Sequence, residues 1–276
     1  MSRPLSDDDV VSVVTFMSQA RLQYFHNIAQ SDRDAIELHQ LSMRVSSALM
    51  PVVGIIEIAI RNAVCCELAA SFGTPDWLHA PPPPFTFKGD ETAKIRQAKS
   101  SAQRACYSKL SNTEKNALDA AAFPAGVPAN INHETHTKRR QRTIQVTNGQ
   151  IIAQLTLFFW KRLFSKDYEA TLWKRALKNV FPNKRLSRSD ISDHLEALYV
   201  CRNRIAHHEP IYGTRLRDAL EAIDFVAHNF MAKRPSSDSP LAKILDPHMP
   251  LLSQSTAEFA QAITAFNAPS APQGDG

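Results

Sequence analysis

The stretch from Leu49 to Ala70 is the most apolar part of the chain, yet it contains Glu57, Arg61 and Glu67. A central charge in a membrane-spanning helix costs roughly 2.5–3.5 kcal/mol on insertion scales. Three such charges argue for a helix buried in protein rather than in lipid. The helix is expected to start near Ala35, with Asp32 or Asp34 as its cap, and to reach about Phe72. Pro51 predicts a kink or break inside it, because proline lacks a donor and crowds the preceding turn. Gly73 and then Pro75 form a stop signal.

Glycine is scarce, 8 of 276 residues, and the prolines are clustered. Long helices are therefore favoured over turn-dense β architecture. The expected class is all-α, with a real core, since 43% of residues are hydrophobic. A net charge of +5 and an isoelectric point near 9.1 are compatible with a polyanionic partner without requiring one. Cys65, Cys66, Cys106 and Cys201 form no C-x-x-C pair, so neither a disulfide framework nor a zinc site is expected, and a reducing compartment is. The start, MSRPLSDDDVV, is acidic where a signal peptide would be cationic. A soluble, cytoplasmic protein follows as the expectation.

Periodicity predicts helix over 7–30, one or two exposed helices over 90–121, and core helices over 150–163 and 168–181. Further helices are predicted over 187–209, 215–232 and, shorter, near 255–265. APPPPF, 80–85, is expected to be an extended polyproline connector. The organisation expected is one helical domain over 1–234, an insert at about 80–149, and a tail over 235–276 with one short helix and a disordered end. The pattern fails over 123–149, which is expected to be a basic loop. Its Lys138, Arg139, Arg140 and Arg142 are either a solvated surface or RNA phosphate contacts.

The segment LSRSDISDHLEALYVCRNRIAHHEPIY carries the most suggestive chemistry. Ile191, Leu195, Leu198 and Ile205 share one helix face, and Arg202 falls on that same face. A charge on an apolar stripe needs a partner or a cavity. Asn203 and His207 stack four apart on a neighbouring face, with His208 beside them. An imidazole can move protons near neutral pH, and a guanidinium can hold a phosphate. The pair therefore suits RNA cleavage, where the 2′-hydroxyl is an internal nucleophile. The alternative is structural, with Arg202 in a buried ion pair and the histidines capping the helix C-terminus.

RNRIAHHEPIY, 202–212, resembles the signature of the Abi-like (abortive-infection) proteins of the HEPN superfamily, an R-N-x-x-x-H pattern. GIIEIAIRNAV (54–64), FGTPDWL (72–78) and QLTLFFWKRLFSKDYEATLWKRALKNVFP (154–182) resemble further parts of that family. The likeness covers roughly 15–80 and 150–230, not the insert or the tail. It implies a HEPN-like helical bundle that pairs two motifs across a homodimer. It also implies a metal-independent endoribonuclease of phage defence or a toxin, without cofactor or metal. Its RNA substrate is cut by Arg202 and His207, with Asn203 and His208 in support. An antitoxin or a guide RNA is a candidate partner, and Arg204 a further RNA contact. Non-catalytic RNA- or protein-binding members exist, so the likeness leaves that alternative open.

Glu57 and Arg61 stand four apart and are either a local ion pair or part of the site, with Glu57 orienting Arg202 and Asn62 assisting. His207-His208-Glu209 is not a zinc motif, and His133 and His136 lack matching ligands. No phosphate-binding loop, dinucleotide fingerprint or nucleophile elbow is present. Trp77, Trp160 and Trp173 are expected in a core or an interface.

Overall fold

Helix is the only regular structure that the described residues form. The computed structural model describes residues 4–267 and is 72% helical, without strands. In chain order the helices are α1 (Asp7–Met17), α2 (Gln19–Ala29), α3 (Asp32–Phe72), α4 (Gly89–Ser108), α5 (Asn112–Ala117), α6 (Asp119–Ala122), α7 (His133–Thr143), α8 (Asn148–Ile152), α9 (Leu157–Arg162), α10 (Arg188–Ala206), α11 (Gly213–Asn229), α12 (Pro240–Leu245) and α13 (Met249–Asn267). The chain divides into two compact units: one holds residues through Ala59, Pro182–Arg185 and Asp193 onward, and the other holds Ile60–Phe181 and Leu186–Ser192.

By length and composition α3 is apolar enough to cross a membrane. Val45, Leu49, Val52, Ile56, Ile60 and Val64 are nevertheless fully buried in the protein, at the three- and four-residue spacing of one helix face. That is the pattern of a core helix. The break expected at Pro51 does not occur, and α3 runs through it. Interior proline costs about 3 kcal/mol, whereas each fully buried Val, Leu or Ile contributes roughly 1.5–3 kcal/mol. The flanking stripe outweighs the lost hydrogen bond.

In the first unit, the helix predicted over 7–30 is two helices. Ser18 separates them with a positive φ of 70°. Ser6 starts α1 through a reciprocal cap with Asp9. Val10, Leu22 and Ile36 form a small core, and Phe25 meets Phe259 of α13 edge-to-face at 6.1 Å. The region expected to be a tail therefore contributes to the fold. Leu241, Leu245, Leu252 and Phe259 are buried, so α12 and α13 are packed helices. Ser239 caps α12 and also donates to the Ala227 carbonyl (2.6 Å). The sequence tail expected to be disordered, 268–276, lies outside the described residues.

The second unit is organised around a carboxylate. Glu91 is completely buried, where the polar composition of 90–121 predicted exposed helices. It accepts from Arg162 Nε (2.7 Å) and from the Tyr168 hydroxyl (2.8 Å), and that hydroxyl accepts from the Lys88 amide (2.9 Å). Burial first, and then the bond to Glu91, push the Tyr168 phenol above its ordinary pKa. Trp77, Trp160 and Trp173 are buried as expected. The polyproline run is not fully extended: Phe85 N–H closes a turn onto the Pro82 carbonyl (3.0 Å).

Three predicted elements differ. The core helix expected over 150–163 is two short helices, α8 and α9, parted at 153–156. The segment 168–181 has the buried spacing of a helix but is wound as one π turn, Glu169–Trp173, with 3-10 turns on either side. The wide and tight turns keep Tyr168, Leu172, Ala176 and Val180 facing inward. The basic loop expected over 123–149 contains α7, whose first turn Asn132 caps by accepting from Thr135 N–H (2.8 Å). His136 and Arg140, one turn apart, both bind Asp119 of α6 and anchor the helix. These two partners, Arg140 foremost, hold the Asp119 carboxyl far below its usual range.

Removing Glu91 strands the buried Tyr168 hydroxyl, at about 1–3 kcal/mol, while Arg162, partly exposed, keeps Asp167 as a partner at 2.9 Å. Glu91→Ala is expected to destabilise the protein by that amount in urea unfolding. Glu91→Gln, which keeps an acceptor oxygen, is expected to cost clearly less.

Candidate functional site

The last turn of α10 leaves carbonyls without intrahelical partners, and the chain closes them in a Schellman turn. Glu209 N–H donates to the Arg204 carbonyl (2.8 Å) and His208 N–H to the Ile205 carbonyl (3.1 Å). His208 stands at the left-handed position usual for glycine, with φ 54°. Four side-chain contacts hold this conformation. Arg21 of α2 donates to the His208 carbonyl (2.6 Å). Arg204 donates twice to the Pro210 carbonyl (3.0 and 2.8 Å) and pairs with Glu209 at 3.0 Å. Tyr212 stacks on Tyr24 of α2, with centroids 3.8 Å apart and planes 23° apart.

His207 and His208 are exposed at this turn. One turn back, Arg202 keeps 36% of its side-chain surface, and its Nε lies 3.6 Å from Glu57 Oε2 on α3. That separation makes an ion pair but not a hydrogen bond. Ile191, Leu195, Leu198 and Ile205 are buried as the stripe predicted. Cys201, next to Arg202, is buried as well, which pushes its thiol pKa up to about 12. It is no nucleophile at neutral pH.

The first unit thus holds Arg202, Asn203, Arg204, His207, His208 and Glu57, with Glu57 facing Arg202 as one sequence alternative had it. Arg204, expected to meet RNA, has its guanidinium occupied in closing the turn. Arg61 and Asn62 fall in the second unit, where Arg61 Nε donates to the Asn62 side chain (3.4 Å). The cations of 138–142 are also there and are differently engaged. Lys138 pairs with Glu134 at 2.6 Å, Arg139 lies over the Phe123 ring at 5.3 Å, and Arg140 is committed to Asp119. Arg142 alone of these four borders a cationic hollow of about 650 Å³, shared with Arg96, Lys99 and Arg104 of α4.

Sequence reasoning missed the α2 side of the site. Arg21 and Tyr24, three apart, lie on the α2 surface that meets 208–212. Burial, then a hydrogen bond to Tyr212, raises the Tyr24 phenol above its ordinary pKa. His39 is buried with its ring edge-on to Phe25, and burial, then the Arg21 charge, lowers its pKa. The available signal was the i, i+3 spacing of Arg21 and Tyr24, which identifies no distant partner. Among the described residues, no three His, Cys, Asp or Glu side chains gather to hold a metal. No family model, curated protein or solved structure matches the chain.

A non-glycine residue in the left-handed region costs roughly 1–2 kcal/mol. His208→Gly is expected to stabilise the protein by about 1 kcal/mol in urea unfolding, and His208→Val to destabilise it. A loss of stability in the glycine variant would show that the imidazole itself supports the turn.

Proposed function

We propose that the chain is a metal-independent endoribonuclease of the HEPN type, acting in phage defence or as a toxin, in the cytoplasm and as a homodimer. The observation carrying this reading is an open imidazole, His207, on a turn closed by backbone hydrogen bonds just beyond Arg202. The RNA 2′-oxygen attacks the adjacent phosphorus as its proton is removed. The bond to the 5′-oxygen breaks as that oxygen gains a proton. His207 serves one of these transfers as general base or acid. Arg202 holds the scissile phosphate and answers the charge that builds in the transition state. The products carry 2′,3′-cyclic phosphate and 5′-hydroxyl ends.

The Glu57 pair is compatible with this role. At 3.6 Å it orients Arg202 without a hydrogen bond, so the guanidinium donors stay available to a phosphate. A second reading is a non-catalytic RNA- or protein-binding module: it needs Arg202 only to hold a phosphate, for which a guanidinium loosely paired with Glu57 suffices.

Single-stranded RNA incubated in EDTA decides between them. Wild type is expected to cleave, and Arg202→Ala and His207→Ala to lose at least about 100-fold in rate, with unchanged circular dichroism. Equal cleavage by all three removes the proposed site. Loss of wild-type cleavage in EDTA removes the mechanism.

A further inference from the structure

Away from the α10 turn, residues 182–185 and 233–235 border an open hollow of about 680 Å³ in the first unit. Lys184, Arg185, Lys233 and Arg234 line it, all exposed, and no carboxylate does. Among the described residues none of the four is in an ion pair.

Both cation-bearing segments are fixed to the end of α11. Asn183 is buried, and its Nδ2 donates to Asn229 Oδ1 (3.2 Å). Asn183 Oδ1 accepts from the Arg185 amide (3.1 Å). The Asn229 amide in turn donates to the Phe225 carbonyl (2.9 Å), and Ser236 N–H to the His228 carbonyl (3.0 Å). The backbone segments that carry the four cations are thus anchored, and their side chains extend from fixed points into solvent.

Cations at a helix C-terminus answer its dipole, but that dipole amounts to only about half an elementary charge. Four cations leave most of the positive charge unanswered. We infer that this hollow binds the phosphodiester backbone of single-stranded RNA, at a place remote from the Arg202–His207 turn. The choice of RNA rests on the ribonuclease reading above. α11 has 17 residues, so it spans about 25 Å at 1.5 Å per residue. Tyr212, at its start, belongs to the α10 turn, and the hollow lies at its far end. A mononucleotide cannot touch both, whereas a longer strand can.

The test measures binding rather than cleavage. Full-length protein is titrated with a 2′-O-methyl RNA 20-mer, which cannot be cut, across a range of salt. Compared with wild type, the variant Lys184→Gln/Arg185→Gln/Lys233→Gln/Arg234→Gln is expected to bind at least tenfold more weakly. Its salt dependence should be shallower by about 0.7 for each phosphate that is no longer neutralised. A 2′-O-methyl dinucleotide should bind both proteins equally. A Lys184→Arg/Lys233→Arg variant, which keeps the charge, should bind as wild type does. Unchanged affinity and salt slope in the glutamine variant overturns the inference, even if Arg202→Ala abolishes cleavage. Weakened binding by the glutamine variant of a protein whose wild type never cleaves RNA supports the hollow while the nuclease reading falls. If the glutamine variant loses only binding to anionic phosphatidylglycerol vesicles, the assignment to RNA is wrong.

Discussion

The termination of α10 is the constraint on which the candidate site depends. A helix end must satisfy its last carbonyls, and here the solution is a left-handed His208 held by Arg21 and a turn clamped by Arg204. These contacts fix where the two imidazoles leave the helix. A freely fraying end would place the same side chains over a wide range of positions. Proximity contributes to catalysis only when the geometry is preorganised.

Both units place arginine–carboxylate pairs against apolar surroundings, with different consequences. In the second unit Glu91 is fully enclosed and satisfied by Arg162 and Tyr168, so the pair fixes packing. In the first unit Arg202 is over a third exposed and only loosely engaged by Glu57. A closed pair resists exchange for a ligand because each stranded charge is costly. An open, long pair can exchange its carboxylate for a phosphate at small cost. The two arginines are similarly exposed, 27% and 36%; a hydrogen-bonded, fully buried carboxylate separates the architectural one from the candidate functional one, whose carboxylate lies 3.6 Å away.

The all-α class was legible because apolar periodicity is a local property. The α3 and α10 stripes follow from it; Pro210 marked a stop, and α10 ends at Ala206 rather than at the expected Glu209. What was not legible depends on distant partners. Arg140 and His136 convert an apparently featureless basic stretch into a helix only because Asp119 is beside them. Glu91 is buried only because Arg162 and Tyr168, over seventy residues away, reach it. The α13 helix begins at Met249, upstream of its predicted start, and Leu252 in that added stretch is buried. In the candidate site, Arg202, His207 and Glu57 stood out by residue type and spacing. Arg21 and Tyr24 did not, since nothing local to α2 points to a turn nearly two hundred residues downstream.

The central claim is that His207 and Arg202 address one phosphate. Side-chain imidazole resonances of His207, assigned by comparison with His207→Gln, report this during titration with a 2′-O-methyl RNA dinucleotide. They are expected to move in saturable fashion in wild type and to stay still in a folded Arg202→Ala variant. Resonances that do not respond, or that respond equally without the guanidinium, would contradict the claim.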